Sequence, residues 1–276
     1  MARDDRDAAA RALVLVGCGK MGSALLRSWI AAGAAACFRV VEPEEPSPGL
    51  DGGANVSWHR SPEELPGEPA PDAVIFAVKP QVVDAVLPFY RRWARPQTLF
   101  VSIVAGKTIA GMTRHLGSAS VIRTMPNTPA AIGRGITVAC ANERVTAAQR
   151  RLCDGLLAAV GETAWVEDEV LLDAVTAVSG SGPAYVFLLI EALAEAAEAA
   201  GLPPDLALRL ARGTVAGSGE LARLSDEGPA QLRENVTSPG GTTRAALDVL
   251  MAKDGLAPLI RRAVEAAAAR SRELAS

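Results

Sequence analysis

Six residues near the start of the chain, Gly17-Cys18-Gly19-Lys20-Met21-Gly22, place glycines at GxGxxG spacing directly after the apolar run Leu13 to Val16 and at the head of an amphipathic stretch. In that context each glycine has its own task. Gly17 permits a tight turn, Gly19 lets the backbone approach a pyrophosphate, and Gly22 allows a helix to pack closely on a strand. The helix start at Lys20 and Met21 then offers free amides and the positive end of its dipole to phosphates. The alternative is a glycine-rich turn without a ligand. Glu42 ends the second apolar run, where a carboxylate is placed to accept hydrogen bonds from the adenosine ribose of a dinucleotide. Its charge repels a 2′-phosphate and so favours NADH over NADPH. Arg39 and the loop beyond Glu42 bear on that balance, and a solvent-facing strand end is the plainer reading of the glutamate.

Further along, Ala77-Val78-Lys79-Pro80 ends another apolar run, at the carboxyl edge where open α/β sheets hold their cofactors. Lys79 is placed beside the nicotinamide ribose or phosphates, or else is an ordinary surface lysine. Val104-Ala105-Gly106 and Met125-Pro126-Asn127-Thr128-Pro129 are expected to line the same crevice, with Asn127 and Thr128 as hydrogen-bonding groups or as turn caps.

A second centre of chemistry is Asn235-Val236-Thr237-Ser238-Pro239-Gly240-Gly241-Thr242-Thr243. Ser238 suits an N-cap, Pro239 the first helical position, and Gly240 and Gly241 leave amides bare. Such a helix start receives a small carboxylate through the Ser238 hydroxyl and the amides of Gly241 and Thr242, or is simply a well-capped helix. Reducing a ketone calls for a proton donor, usually Lys or His. The lysines are Lys20, Lys79, Lys107 and Lys253 and the histidines His59 and His115, none within the glycine-rich motifs of the second half. A protonated imine needs no such donor, and one hydroxyl to orient its nitrogen suffices; Thr243 is the candidate.

The elements that must position these groups fall into two halves. From Ala12 to about Glu167, short apolar runs (ALVLVG, FRVVE, DAVIFAVK, LFVSIVAG, SVIRTM, GITVACA, ETAWVE) alternate with helical stretches, which indicates an α/β fold with a largely parallel sheet. Residues 43–53 and 61–71 read as loops or weak elements. From about Asp168 the pattern is all helix: a long helix over 169–200 broken at Ser179-Gly180-Ser181-Gly182-Pro183, then helices near 204–224, 229–235, 241–252 and 256–274. The expected organisation is a disordered tail at 1–10, a dinucleotide-binding domain at 11–167 and a helical domain at 168–276 that binds substrate and dimerises. Length supports two cores, and 49% hydrophobic against 4% aromatic residues points to an aliphatic, helix-rich interior. A net charge of -3 with dispersed basic residues argues against nucleic acid. The charged start lacks a secretory h-region, and no stretch approaches 18 uninterrupted apolar residues, so a cytoplasmic protein without a membrane span is expected. Cys18, Cys37, Cys140 and Cys153 have neither CxxC spacing nor flanking histidines, which speaks for free thiols rather than a metal site.

Five motifs in order along the whole chain resemble the pyrroline-5-carboxylate reductases: GCGKMG, AVKP at 77–80, RTMPNTPA at 123–130, DAVTAVSGSGPAY at 173–185 and ENVTSPGGTTRAAL at 234–247. The resemblance implies reduction of 1-pyrroline-5-carboxylate to L-proline with NADPH or NADH, the last step of proline biosynthesis. It also implies an N-terminal Rossmann domain and a helical domain that interlocks with a second subunit, dimers that in many members build rings up to a decamer, and an active site formed by one subunit's nucleotide domain and the other's helices. Carried over by motif position, Ser238, Gly240, Gly241 and Thr242 hold the substrate carboxylate, Thr243 faces the ring nitrogen, and Thr176 with the segment 179–183 shapes the nicotinamide pocket. Thr242 stands where the family often has Ala, which is harmless if only its amide is used. Glu42 departs from members that select NADPH. Two alternatives stay open: another two-domain dehydrogenase of a small hydroxy or keto acid, which calls for a Lys or His in the helical half, and a dinucleotide-binding regulator without turnover, which has no use for the bare helix start.

Overall fold

Strand-length runs of β-branched and aliphatic residues, buried on both sides, build the sheet. The computed structural model describes residues 10–46, 50 and 53–275; the expected tail at 1–10 lies outside these except for Ala10. The strands are β1 (Ala12–Val16), β2 (Cys37–Val41), β3 (Val56–His59), β4 (Ala73–Phe76), β5 (Leu99–Ser102), β6 (Ser120–Met125), β7 (Gly135–Ala141) and β8 (Gly161–Trp165). They lie in the order β3-β2-β1-β4-β5-β6-β7-β8, parallel throughout except between β6 and β7. Helices α1 (Lys20–Ala31), α2 (Pro80–Tyr90), α3 (Ile109–Leu116) and α4 (Ala147–Ala158) connect them. Side chains alternate across the sheet as strand geometry requires: Leu13, Leu15, Phe38 and Val40 enter one core with Trp29 and Leu156, while Val14, Val16, Phe76 and Phe100 enter another with Tyr90 and Trp93. Both faces are therefore dry, which is why these strands read as unbroken apolar runs. The sequence reading found seven strands; β3, an edge strand of four residues with Ser57 and His59 in it, carries too little apolar signal to stand out.

Register fixes where the loops emerge. Val16 pairs with Val41 on one side and Phe76 on the other, Phe76 with Ser102, and Ser102 with Arg123. Gly17, Glu42, Ala77 and Ile103 thus leave the sheet at one level. The order reverses between β1 and β4, the switch point at which open α/β sheets accept ligands.

The chain packs as two units, one of residues 1–180 together with 268–276 and the other of residues 181–267. Residues 168–180 group with the sheet because Leu172 of α5 (Leu171–Val175) joins Val138 and Cys140 of β7 in a small core. The predicted break after α5 is a π-helical turn, Thr176–Gly180, and the helix resumes as α6 (Gly182–Ala199) with Pro183 in its first turn. Joined through that turn, Leu171–Ala199 is long and apolar enough by length and composition to cross a membrane, although Glu191, Glu195 and Glu198 interrupt its apolar sequence.

The second unit contains α6, α7 (Pro204–Leu224), α8 (Pro229–Asn235), α9 (Thr242–Leu250) and the first part of α10 (Leu256–Ala275). Its buried apolar residues are Ala194, Ala207 and Ala211, whereas Phe187, Leu188, Leu210, Leu221, Val249 and Leu259 are exposed. A helical unit whose buried apolar residues are alanines has little core of its own, and its large apolar side chains are left to be covered.

Candidate functional site

The loop after β1 has the form that its glycines require. Gly17 adopts φ +90, and a methyl group there would stand 2.8 Å from the Ala77 carbonyl oxygen. A methyl group at Gly22 would collide with the Gly17 carbonyl oxygen, whereas one at Gly19 would meet only open space. The turn and the helix contact are closed, and the approach to Gly19 is clear. Gly19 is the N-cap of α1, with no side-chain cap and no acidic residue in the first turn, so the amides there face outward. Lys20 is exposed beside them.

Glu42 stands across this loop. Its Oε2 accepts the Cys18 amide at 2.7 Å and its Oε1 the Glu44 amide at 3.3 Å. The carboxylate is therefore held at the end of β2 by the loop that it faces. Arg39, by contrast, is buried and donates to the Pro69 carbonyl at 3.1 Å, so it does not offset the charge of Glu42. Burial, then Glu42, raise the Cys18 thiol to about 11 against a lowering by Arg27, so at neutral pH it is a neutral thiol.

At the switch point the strand ends enclose a cavity of about 290 Å³ lined by Met21, Ala77, Val78, Pro80, the segment Ile103 to Ala105, Met125 to Thr128, and Gly180. Lys79 is exposed and is not part of this lining. Asn127 is part of it, with its amide engaged at both ends: Oδ1 accepts the Ile136 amide at 3.0 Å and Nδ2 donates to Ser179 Oγ at 3.3 Å. Gly180 packs so tightly on Met125 that a methyl group there would overlap Met125 Cε. The π-helical turn is thus a wall of the cavity through Gly180, while Thr176 turns its hydroxyl inward to the Leu172 carbonyl at 2.7 Å. A larger hollow of about 570 Å³ lies elsewhere, beside Ile109, Thr113 and Asn142, but its lining sets Glu143, Glu167 and Glu169 against the one cation Arg144, a net negative charge that disfavours phosphates.

The segment around Ser238 differs in one respect from expectation. Helix α9 begins at Thr242 with Gly241 as N-cap and no side-chain cap, so Ser238 is not the N-cap and Pro239 is not the first helical residue. The reason is Gly240: its φ of +69 turns the chain, the Gly241 amide closes on the Ser238 carbonyl at 3.1 Å, and helical geometry starts only afterwards. The turn brings Ser238 Oγ against the Gly241 Cα, where a methyl group would overlap it. A hollow of about 350 Å³ opens there, lined by Thr237, Ser238, Pro239, Gly240 and Arg244. Arg244 was not singled out from the sequence; it also pairs with Asp248 at 2.9 Å. Thr242 is exposed and Thr243 is half-buried in the first turn.

Residues 169–274 match the family model for pyrroline-5-carboxylate reductase dimerisation, and residues 12–106 match the model for NADP oxidoreductases, coenzyme F420-dependent. A pyrroline-5-carboxylate reductase of Synechocystis is 40% identical over 269 residues, which cover 95% of this chain and 97% of the relative. The chain belongs to the pyrroline-5-carboxylate reductase family. Among solved structures, the Coxiella burnetii enzyme of that name superposes with a TM-score of 0.88 at 33% identity, covering 97% of this chain and 99% of its own. The Plasmodium falciparum pyrroline carboxylate reductase, solved with NADP bound, gives 0.82 at 31% identity over 96% and 98%. These matches agree with the α/β sheet unit followed by helices that was read from the sequence.

Proposed function

We propose that the bare helix start Gly241–Thr242 receives the carboxylate of 1-pyrroline-5-carboxylate and that the loop Gly17–Gly22 holds NADH or NADPH. The chain is an oxidoreductase that reduces this cyclic imine to L-proline, as a homo-oligomer. The observation that carries the substrate assignment is the uncapped α9, whose free amides and adjacent Ser238 hydroxyl suit a small anion.

The residues around Gly17 fit a dinucleotide: closed where backbone must pack, open at Gly19, uncapped at α1, and bordered by Glu42 and the cavity at the switch point. When bound, the dinucleotide supplies hydride from nicotinamide C4. Gly17, Gly19, Lys20, Met21 and Gly22 hold its pyrophosphate, Glu42 its adenosine ribose, and Ala77, Val78, Pro80, Ala105 and Asn127 surround the nicotinamide end, with Lys79 outside. The Ser238 hydroxyl and the amides of Gly240 and Thr242 fix the substrate carboxylate, while the Gly241 amide, closed on the Ser238 carbonyl, holds the turn that presents them. Thr243 orients the ring nitrogen, which is protonated before reaction and takes the electron pair of the C=N bond as C5 becomes tetrahedral. No side-chain acid is needed for that step, so rate comes from orientation. Glu42 favours NADH, because it is fixed by the Cys18 amide and no cation of β2 offsets it.

We assign the apolar helical face to a second copy of the chain, in a dimer or in rings of dimers up to a decamer, and place the protein in the cytoplasm, off the membrane. The test is oxidation of NADH and of NADPH with 1-pyrroline-5-carboxylate, beside a panel of keto acids. Turnover with the imine alone is expected; turnover with a keto acid and none with the imine would overturn the assignment.

A further inference from the structure

Residues 268–275 group with the sheet rather than with the helices that precede them, and their two attachments are specific. Ser271 is 5% exposed, and its hydroxyl donates to Asp173 Oδ1 at 2.6 Å. Asp173 lies in α5, the helix that runs into the π-helical turn and so into Gly180 on the cavity wall. One turn further along α10, the Leu274 carbonyl oxygen lies where a methyl group on Gly106 would reach it at 2.9 Å, and Gly106 has φ +74. Gly106 follows Ala105, which lines the same cavity. The end of α10 therefore touches the two segments that lead into the cavity lining, Gly106 one residue from Ala105 and Asp173 about two helical turns before Gly180.

From this arrangement we infer that the last two turns of α10 are a clip that sets the spacing of the nicotinamide cavity, with Ser271 and Asp173 as positioning residues. A buried hydroxyl on a half-buried carboxylate is a strong, directional contact, and the Ser271 hydroxyl, 5% exposed, has little water to replace its partner. Through it the helix end holds α5 against β7; through Leu274 it holds the turn after β5. Neither residue lines the cavity, so neither touches a dinucleotide. Losing the clip leaves the pyrophosphate loop at Gly17 unchanged and loosens only the nicotinamide end. The inference rests on that cavity being the nicotinamide site.

Ser271→Ala removes the bond at the cost of one atom, and Ser271→Thr keeps the hydroxyl. In Ser271→Ala we expect turnover to fall roughly three- to tenfold, the KM for the imine to change by less than about twofold, and the Kd for NADH to rise, with Ser271→Thr restoring all three. Amide hydrogen exchange of the dinucleotide-free protein should quicken at 105–107 and 176–180 and stay unchanged at 17–22. Gly106→Ala, which presses on the Leu274 carbonyl from the turn after β5, should reproduce the exchange pattern. Wild-type protein that binds no dinucleotide would sink both the proposed function and the clip. Wild-type protein that binds and turns over, with Ser271→Ala matching it in turnover and in exchange, would sink the clip alone; so would a variant that only melts earlier and keeps wild-type kinetics.

Discussion

Replacing Glu42 by Gln isolates the electrostatic part of dinucleotide choice. The Cys18 amide, 2.7 Å from Glu42 Oε2, keeps an oxygen acceptor in the variant, so the phosphate loop is preserved, and only the weaker 3.3 Å contact to the Glu44 amide is given up. What changes is the charge. A carboxylate and a 2′-phosphate about 4 Å apart repel by roughly 1 kcal/mol in water and about 4 kcal/mol at the effective dielectric of a protein surface. Glu42 is half-buried, which places the relief for NADPH nearer 1 to 2 kcal/mol. For NADH, the ribose hydroxyls exchange a charged acceptor for a neutral one, a loss of about 1 kcal/mol. The two effects have opposite sign and add in the ratio of affinities, giving about 2 to 3 kcal/mol, a shift of roughly thirty- to a hundred-and-fiftyfold toward NADPH. Fluorescence titration of both dinucleotides with both proteins measures that ratio directly. At about 1 M salt, where the Debye length is about 3 Å, the shift should shrink. An identical change for NADH and NADPH, or none for either, would refute the ribose contact.

Three further outcomes are expected. Gly22→Ala forces a methyl group onto the Gly17 carbonyl; it should weaken both dinucleotides by more than about tenfold and destabilise the fold by roughly 1 to 3 kcal/mol, read by titration and thermal melting. Thr243→Val should lower turnover about tenfold and leave NADH affinity within about twofold, as stopped-flow and equilibrium titration would show. Cys18, raised to about 11 from 9.0 by burial and Glu42, stabilises the fold fully below pH 9, and that contribution is lost as pH climbs from 9 toward 11. Urea unfolding across that window should therefore lose less stability in Cys18→Ala than in the wild type, and equal slopes would contradict the buried neutral thiol.

The features legible in the sequence are those written in local patterns. Strands buried on both faces appear as apolar runs, the glycine loop as a fixed spacing, and the helix limits Pro204, Leu224, Pro229 and Asn235 as proline starts and as ends at Asn235 and just before Ser225. What escaped depends on contacts across the chain. The bond between Ser271 and Asp173 spans 98 residues and leaves no periodic trace. The range 241–252 agrees with the start of α9, but the N-cap falls on Gly241 rather than Ser238, because Ser-Pro is a good helix opening by local preference and only the left-handed backbone at Gly240 overrides it. Asn127 read equally well as a ligand or a turn cap; its partners, Ile136 and Ser179, are a strand edge and a helical turn that no spacing rule connects.

The sheet unit is written in two pieces, with residues 181–267 between them. On the ribosome, β1 to β8 emerge early and can pair at once, yet the segment that braces α5 and the turn after β5 arrives only after α5 to α9 have been made. During that interval the nascent chain has a finished sheet and an unbraced crevice, and it displays the apolar helices that await a second copy. Maturation of the pocket is therefore tied to the making of residues 268–275, and a chain cut ahead of them is expected to hold a folded sheet that grips a nucleotide poorly.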